Sequence, residues 1–222
     1  MLVFDLDDTL YLERDFAFSG YAAIGAHLDR TDGQGAGHRF AETCRALFLS
    51  GERRRIIDRA LATLDRPSRP DEAAALIALY RDHVPQIALC PDAAAFLDRW
   101  PGRMGLITDG PERTQRNKID ALRLTGCLDP IIPTGQWPLG FGKPHPRAFA
   151  MMEAIGQGRC IYVADNPLKD FVTPKARGWM TIRLARPERV HHCPAPDDAH
   201  EAEAVITTLN DLDPLLEGWR RR

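Results

Sequence analysis

The chain has 222 residues, 44% of them hydrophobic, and a formal net charge of −2. That is enough apolar material for one domain with a large insertion, or for two small ones, while the near-balanced charge argues against a nucleic-acid or anionic-membrane partner. No apolar run approaches the ~20 residues that cross a bilayer, no basic and apolar leader precedes the first strand, and five scattered cysteines read as reduced, cytoplasmic usage rather than a disulfide framework.

The chain opens Met1-Leu2-Val3-Phe4-Asp5-Leu6-Asp7-Asp8-Thr9-Leu10. Leu2, Val3 and Phe4 form a short apolar run that reads as a buried strand. Residues two apart leave a strand on one face, so Asp5 and Asp7 point the same way. Two like charges that close repel unless a cation or a shared proton intervenes. The pair therefore reads as metal-assisted carboxylates at the carboxyl end of a strand, where open α/β sheets place their active sites. The plainer alternative is a polar turn that closes the strand.

Residues 11 to about 90 look helical. Phe16, Tyr21, Ile24 and Leu28 predict a helix over Arg14–Leu28, broken by Thr31-Asp32-Gly33-Gln34-Gly35-Ala36-Gly37. A second helix is expected over His38–Leu49, a third over Glu52–Leu64 and a fourth from Asp71 to His83, after a break at Pro67-Ser68-Arg69-Pro70. Four helices without a strand predict an α-helical insertion, a bundle. From Pro91 strand and helix alternate: helix to Trp100, strand Met104–Ile107, helix Thr114–Leu122, strand Ile131-Ile132, helix His145–Ile155, strand Cys160–Ala164, helix Phe171–Arg177 and strand Met180–Ile182. Alternation of this kind predicts an α/β fold with a doubly wound parallel sheet. Arg186–Ala199 reads as an exposed loop, Ala204–Ile206 as a last short strand, and Asn210 or Asp211 as the cap of a final helix. The expected division is a Rossmann-like core over 1–11 and 91–222, with an α-helical cap domain over 12–90.

Three further stretches carry chemistry. In Leu106-Ile107-Thr108-Asp109-Gly110 a strand ends in a hydroxyl, and Thr108 with nearby backbone N–H groups is placed to hold a phosphate oxygen, or simply to cap a helix. In Gly140-Phe141-Gly142-Lys143-Pro144-His145-Pro146 a stiff segment presents Lys143, either to neutralise an anion or as an ordinary exposed lysine. In Val163-Ala164-Asp165-Asn166-Pro167-Leu168-Lys169-Asp170 two further carboxylates follow an apolar strand, with oxygen chemistry that suits Mg²⁺ and helix capping as the alternative. Elsewhere, His191-His192-Cys193 reads as a solvated loop rather than a metal cluster, and Arg53-Arg54-Arg55 as a charged helix face rather than a patch that steers an anionic substrate.

Asp-x-Asp-x-Thr, a strand-ending Thr, Lys-Pro-x-Pro and Asp-x(4)-Asp, in this order, resemble the haloacid dehalogenase-like hydrolases. The resemblance covers the chain outside most of the helical insertion and the 186–200 loop, and the insertion point is similar to that of members with a helical cap. It implies that Asp5 is a nucleophile forming an aspartyl-phosphate and that Asp7 is the general acid and then the base. It implies that Thr108, the amide of Asp109 and Lys143 hold the phosphoryl group, and that Asp5, the Asp7 carbonyl and Asp165 ligate Mg²⁺, with Asp170 supporting the metal site or Lys143. Two positions depart from the family: Asp109 stands where many relatives have Asn, and Ala164 where many have Gly or an acid. A carboxylate at 109 would repel a phosphate, so it is expected to point away.

The implied activity is Mg²⁺-dependent hydrolysis of a small phosphorylated metabolite by a monomer or homodimer, with the cap closing over the site to expel water. The alternatives are a sugar phosphomutase using the same aspartyl-phosphate and a non-catalytic ligand-binding relative. A dehalogenase fits less well, because those relatives lack the acid two residues after the nucleophile.

Overall fold

A computed structural model of the chain describes residues 1–33, 35–64, 70–157 and 160–220. Strand β1 (Leu2–Phe4) is followed by helices α1 (Glu13–Asp32), α2 (Ala36–Leu49), α3 (Ile56–Ala62) and α4 (Pro70–Asp82). Then come α5 (Pro91–Arg99), β2 (Met104–Thr108), α6 (Glu112–Ala121), β3 (Ile131–Pro133), α7 (Pro146–Gly156), β4 (Ile161–Ala164), α8 (Val172–Ala176), β5 (Met180–Leu184), β6 (Ala204–Ile206) and α9 (Leu212–Arg220). The chain divides into two compact units, Met1–Glu13 with Ala88–Arg222, and Arg14–Ile87.

In the first unit, the strands form one six-stranded sheet in the order β3-β2-β1-β4-β5-β6, parallel throughout. Sheets of this kind bury both faces, which explains the continuous apolar runs in place of alternation. Val3, Phe4, Ile107, Tyr162 and Val163 are fully buried, and Phe149 of α7 stands edge-on to both Tyr162 and Trp179. The order reverses at β1, which lies between β2 and β4. At such a switch point the loops leave in opposite directions and open a crevice beyond the strands' carboxyl ends. Asp5 leaves β1 with its N–H still bonded to the Val163 carbonyl at 2.9 Å, so the crevice begins where the ladder ends.

The second unit is helical, built on α1 after its first residue and on α2 to α4. Phe16, Tyr21, Ile24, Leu28, Phe40 and Phe48 are buried. Helix α1 runs through the break expected at Thr31-Asp32 and ends only before Gly33. Helix α3 starts four residues later than the pattern predicts, because Arg55 sits at φ 56°, a left-handed conformation that a continuing helix does not contain. Arg53, Arg54 and Arg55 thus precede α3 rather than forming its charged face. The Arg53 guanidinium lies 4.1 Å from the centroid of the Phe48 ring and donates to the Phe48 carbonyl. The break expected at Pro67-Ser68-Arg69 lies outside the described residues.

Gly25 and Gly37 let α1 and α2 approach closely. A Cβ on Gly37 would stand 1.9 Å from the Gly25 carbonyl oxygen, and Asp29 Oδ1 accepts the Gly35 and Gly37 N–H groups at 2.9 Å each. Gly37→Ala is expected to destabilise the protein by about 1–3 kcal/mol, the usual range for overpacking. Denaturant unfolding followed by circular dichroism measures this, and a change below about 0.5 kcal/mol would contradict the close approach.

Two boundary features differ from expectation in the first unit. Arg186–Ala199 has neither helix nor strand, but Arg186 is buried, paired with Asp92 at 3.0 Å and bonded to the Thr9 carbonyl at 2.9 and 3.1 Å. The final helix is not capped by Asn210 or Asp211; Thr208 caps a short 3₁₀ turn over Leu209–Asp211 and α9 follows it.

Candidate active site

The crevice at the β1 switch point gathers side chains from four loops. Asp5 is 3% exposed, because it leaves the centre of the sheet. Lys143 comes from the loop between β3 and α7 rather than from a strand end, and its ammonium reaches Asp5 Oδ1 at 2.8 Å and Asp170 Oδ1 at 2.7 Å. The Tyr162 hydroxyl is 3.0 Å from the same ammonium. Burial would lower the Lys143 pKa, but the Asp170 and Asp5 charges outweigh it and raise it well above the ordinary lysine value.

Asp165 follows β4 and is 3% exposed. Asp170 is fully buried and its Oδ2 accepts the Asn166 N–H at 3.0 Å, a bond that closes the Asp165–Asp170 loop on itself. Carboxylate oxygens of Asp5, Asp165 and Asp170 lie within 4.8 Å of one another, and this is the one group of three potential ligands among the described residues. Asp165 Oδ2 is buried with no hydrogen-bond partner among the described residues. Burial first, then the Asp170 and Asp5 charges, push the Asp165 carboxyl up to about 9. Asp5 is raised to about 6, by burial and by Asp170, with Lys143 opposing. Crowded, desolvated oxygens of this kind fit a hard divalent cation. His191, His192 and Cys193 form no such group; His191 Nε2 lies 3.5 Å from Glu13 Oε2, and Cys193 Sγ 3.7 Å from Asn166 Oδ1.

Thr108 ends β2, fully buried, and its Oγ1 has no hydrogen-bond partner among the described residues. Asp109 uses its Oδ1 to accept the Thr134 hydroxyl at 2.6 Å and the Lys143 N–H at 3.1 Å, while its Oδ2 lies 3.7 Å from Lys169 Nζ. Burial opposes ionisation of Asp109, but Lys143, Lys169 and these hydrogen bonds hold its pKa below the usual value. The carboxylate that departs from the family pattern is thus taken up by the β3–α7 loop.

Asp7 stands apart from the acidic group: its carboxylate meets Lys118 Nζ at 2.6 Å, Gln115 Nε2 at 3.2 Å and the Tyr11 hydroxyl. Burial alone would raise its pKa, but the Lys118 ammonium, with the Lys118 and Tyr11 hydrogen bonds, keeps it below the usual value. The structure thus brings Asp5, Lys143, Asp165 and Asp170 into direct contact or close approach, with Thr108 and Asp109 on the adjoining strand end. Sequence reasoning passed over Tyr11, Gln115, Lys118, Tyr162 and Lys169. For two of them a signal existed, since Gln115 and Lys118 are spaced i, i+3 on the helix that follows Thr108 and so share a face.

A family model described as haloacid dehalogenase-like hydrolase matches residues 1–171. Among curated proteins, the chain is 24% identical over 238 residues to the glyceraldehyde 3-phosphate phosphatase of Methanocaldococcus jannaschii, with 97% of this chain and 95% of that protein covered. Among solved structures it is similar to the 2-haloacid dehalogenase of Pseudomonas syringae, at TM-score 0.63 and 20% identity over 98% of both chains. It is also similar to a HAD phosphatase from Thermococcus onnurineus, at TM-score 0.59 and 20% identity over 98% of this chain and 97% of that one. At these identities the structural likeness speaks for the fold.

Proposed function

The chain belongs to the haloacid dehalogenase-like hydrolases, and from that premise we propose that it is a Mg²⁺-dependent phosphatase of small phosphomonoesters, working through an aspartyl-phosphate on Asp5. The observation that carries this reading is the meeting of Asp5, Lys143, Asp165 and Asp170 at the switch point of the sheet, with the Asp7 carboxylate held separately by its own lysine. The Asp7 carboxylate also favours a phosphatase over a dehalogenase, because phosphate ester hydrolysis needs a proton donor for the leaving alcohol and then a base for water.

In the first step an Asp5 oxygen bonds to phosphorus, the ester P–O bond breaks, and Asp7, which Lys118 holds ionised in the free protein and which must therefore take up a proton as the substrate binds, delivers that proton to the departing alcohol oxygen. In the second, water attacks phosphorus, its proton passes to Asp7, and the Asp5–phosphorus bond breaks to release inorganic phosphate. Thr108 and the Asp109 amide orient the phosphoryl oxygens, and Lys143 offsets their charge. Mg²⁺, when held by Asp5, Asp165 and the Asp7 carbonyl with Asp170 in support, supplies positive charge to the phosphoryl oxygens. The catalytic core is assigned to 1–11 and 91–222, and the helical cap to 12–90.

The relative's name makes glyceraldehyde 3-phosphate the first substrate to try. Purified protein with Mg²⁺ is expected to release inorganic phosphate from it, or from another member of a small phosphometabolite panel, and from p-nitrophenyl phosphate. Formation of an isomeric sugar phosphate without free phosphate would indicate a mutase, and inactivity on every compound would indicate a binding role.

Magnesium uptake is expected to expel protons. Without a cation the Asp165 carboxyl holds its proton up to about pH 9 and Asp5 up to about 6, whereas bound Mg²⁺ requires both ionised. Affinity should therefore rise with pH between about 6 and 9. Calorimetric titration in two buffers of different ionisation enthalpy reads the released protons, and an affinity independent of pH would contradict the assignment.

A further inference from the structure

Helix α6 presents Gln115 and Lys118 on one face, and both are buried, at 3% and 5% exposed. A lysine ammonium is buried at high cost unless it is paired. Lys118 meets Asp7 Oδ1 at 2.6 Å, the Tyr11 hydroxyl donates to the same oxygen, and Gln115 Nε2 donates to Oδ2 at 3.2 Å. Both carboxylate oxygens are therefore held. Gln115 Nε2 also donates to the Asp109 carbonyl, which ties the loop after β1 to the turn after β2. Gly110 at φ 130° makes room, since a Cβ there would stand 2.6 Å from Gln115 Nε2.

The two buried lysines thus serve different carboxylates: Lys143 lies between Asp5 and Asp170, and Lys118 against Asp7. We propose that Lys118 is a positioning residue that acts through Asp7, fixing its carboxylate so that one rotamer faces both the leaving alcohol and the attacking water. The inference rests on the aspartyl-phosphate reading given above. A side chain that must move a proton in both steps gains from being held at one place, and a helix face holds it more firmly than a loop.

The test compares Lys118→Met, Lys118→Arg, Asp7→Asn and Asp7→Asn/Lys118→Met with Mg²⁺ on two substrates: glycerol 3-phosphate, whose alkoxide must be protonated, and p-nitrophenyl phosphate, whose phenolate leaves readily. Lys118→Met is expected to lower kcat on the alkyl ester about 10-fold more than on the aryl ester. It should add no loss in the Asp7→Asn background, and Lys118→Arg should recover part of the activity. Equal losses on both esters, or an additive loss in the double variant, would overturn the proposal. Crystal structures of wild type and Lys118→Met provide an arm independent of turnover. The Asp7 carboxylate is expected to move or to lose its single position; an unchanged carboxylate overturns the proposal. If wild type hydrolyses neither ester, it is the phosphatase reading that fails, and the two structures still decide the role of Lys118.

Discussion

Asp5→Asn is expected to abolish turnover, with kcat lower by at least about 10⁴-fold, while the fold survives. An amide cannot supply the attacking oxygen. The substitution should not unfold the protein, because the Lys143 ammonium keeps Asp170 at 2.7 Å as a partner. Asp5 is also a desolvated acid whose pKa is raised to about 6, so above that pH the native state carries a charge it would rather shed. Removing it should leave the melting temperature at pH 8 unchanged or higher. Phosphate release and thermal unfolding measured on one preparation separate the two effects. Retained turnover would mean that another group is the nucleophile.

Lys143→Met is expected to cost both activity and stability. The substitution removes the ammonium that lies between two buried carboxylates, Asp5 and Asp170, and breaking a buried pair by deleting one partner costs about 3–5 kcal/mol. For a chain of this size that is a loss of roughly 10 °C in melting temperature. The sign of the pH dependence follows from the acids left behind. Without the ammonium the Asp5 carboxyl, already raised to about 6, rises further above its unfolded value, so the native state binds more protons than the unfolded chain across that interval. Stability then falls as pH rises, and the deficit should be larger at pH 8 than at pH 5. A variant as stable as wild type at pH 8 would show that the Lys143–Asp5–Asp170 contact does not carry the weight assigned to it. The contrast between the two variants is itself informative, because one removes the proposed nucleophile and the other removes the positive charge between two buried acids.

Much of the architecture was legible in the chain. Leu2–Phe4, Met104–Ile107 and Ile161–Ala164 are unbroken apolar runs, each followed at once by polar residues. That pattern has few readings other than central parallel strands ending at a site. Helix ends were less legible. Thr31-Asp32 looked like a break yet continues α1, and Arg55 looked helical yet adopts a left-handed φ of 56° before α3 begins. Local propensity is weak at such points, and packing of neighbouring helices decides them. The Arg186 loop shows the same limit, since nothing near it in the chain announces the buried pair with Asp92.

The sequence by itself determined the kinds of groups at the site and the order in which the sheet delivers them. Asp5, Asp7, Thr108, Lys143, Asp165 and Asp170 are all readable because each lies in a short local signal, an apolar strand or a stiff Gly/Pro segment beside a reactive side chain. Only the tertiary structure decided which group each charge serves. It assigned Lys143 to Asp5 and Asp170, Lys118 to Asp7, Tyr162 to Lys143, and the Asp109 carboxylate to Thr134. The physical reason is that ion pairs and hydrogen bonds act over a few ångströms and are indifferent to separation along the chain. The partner of a buried charge is therefore chosen by the packing that surrounds it.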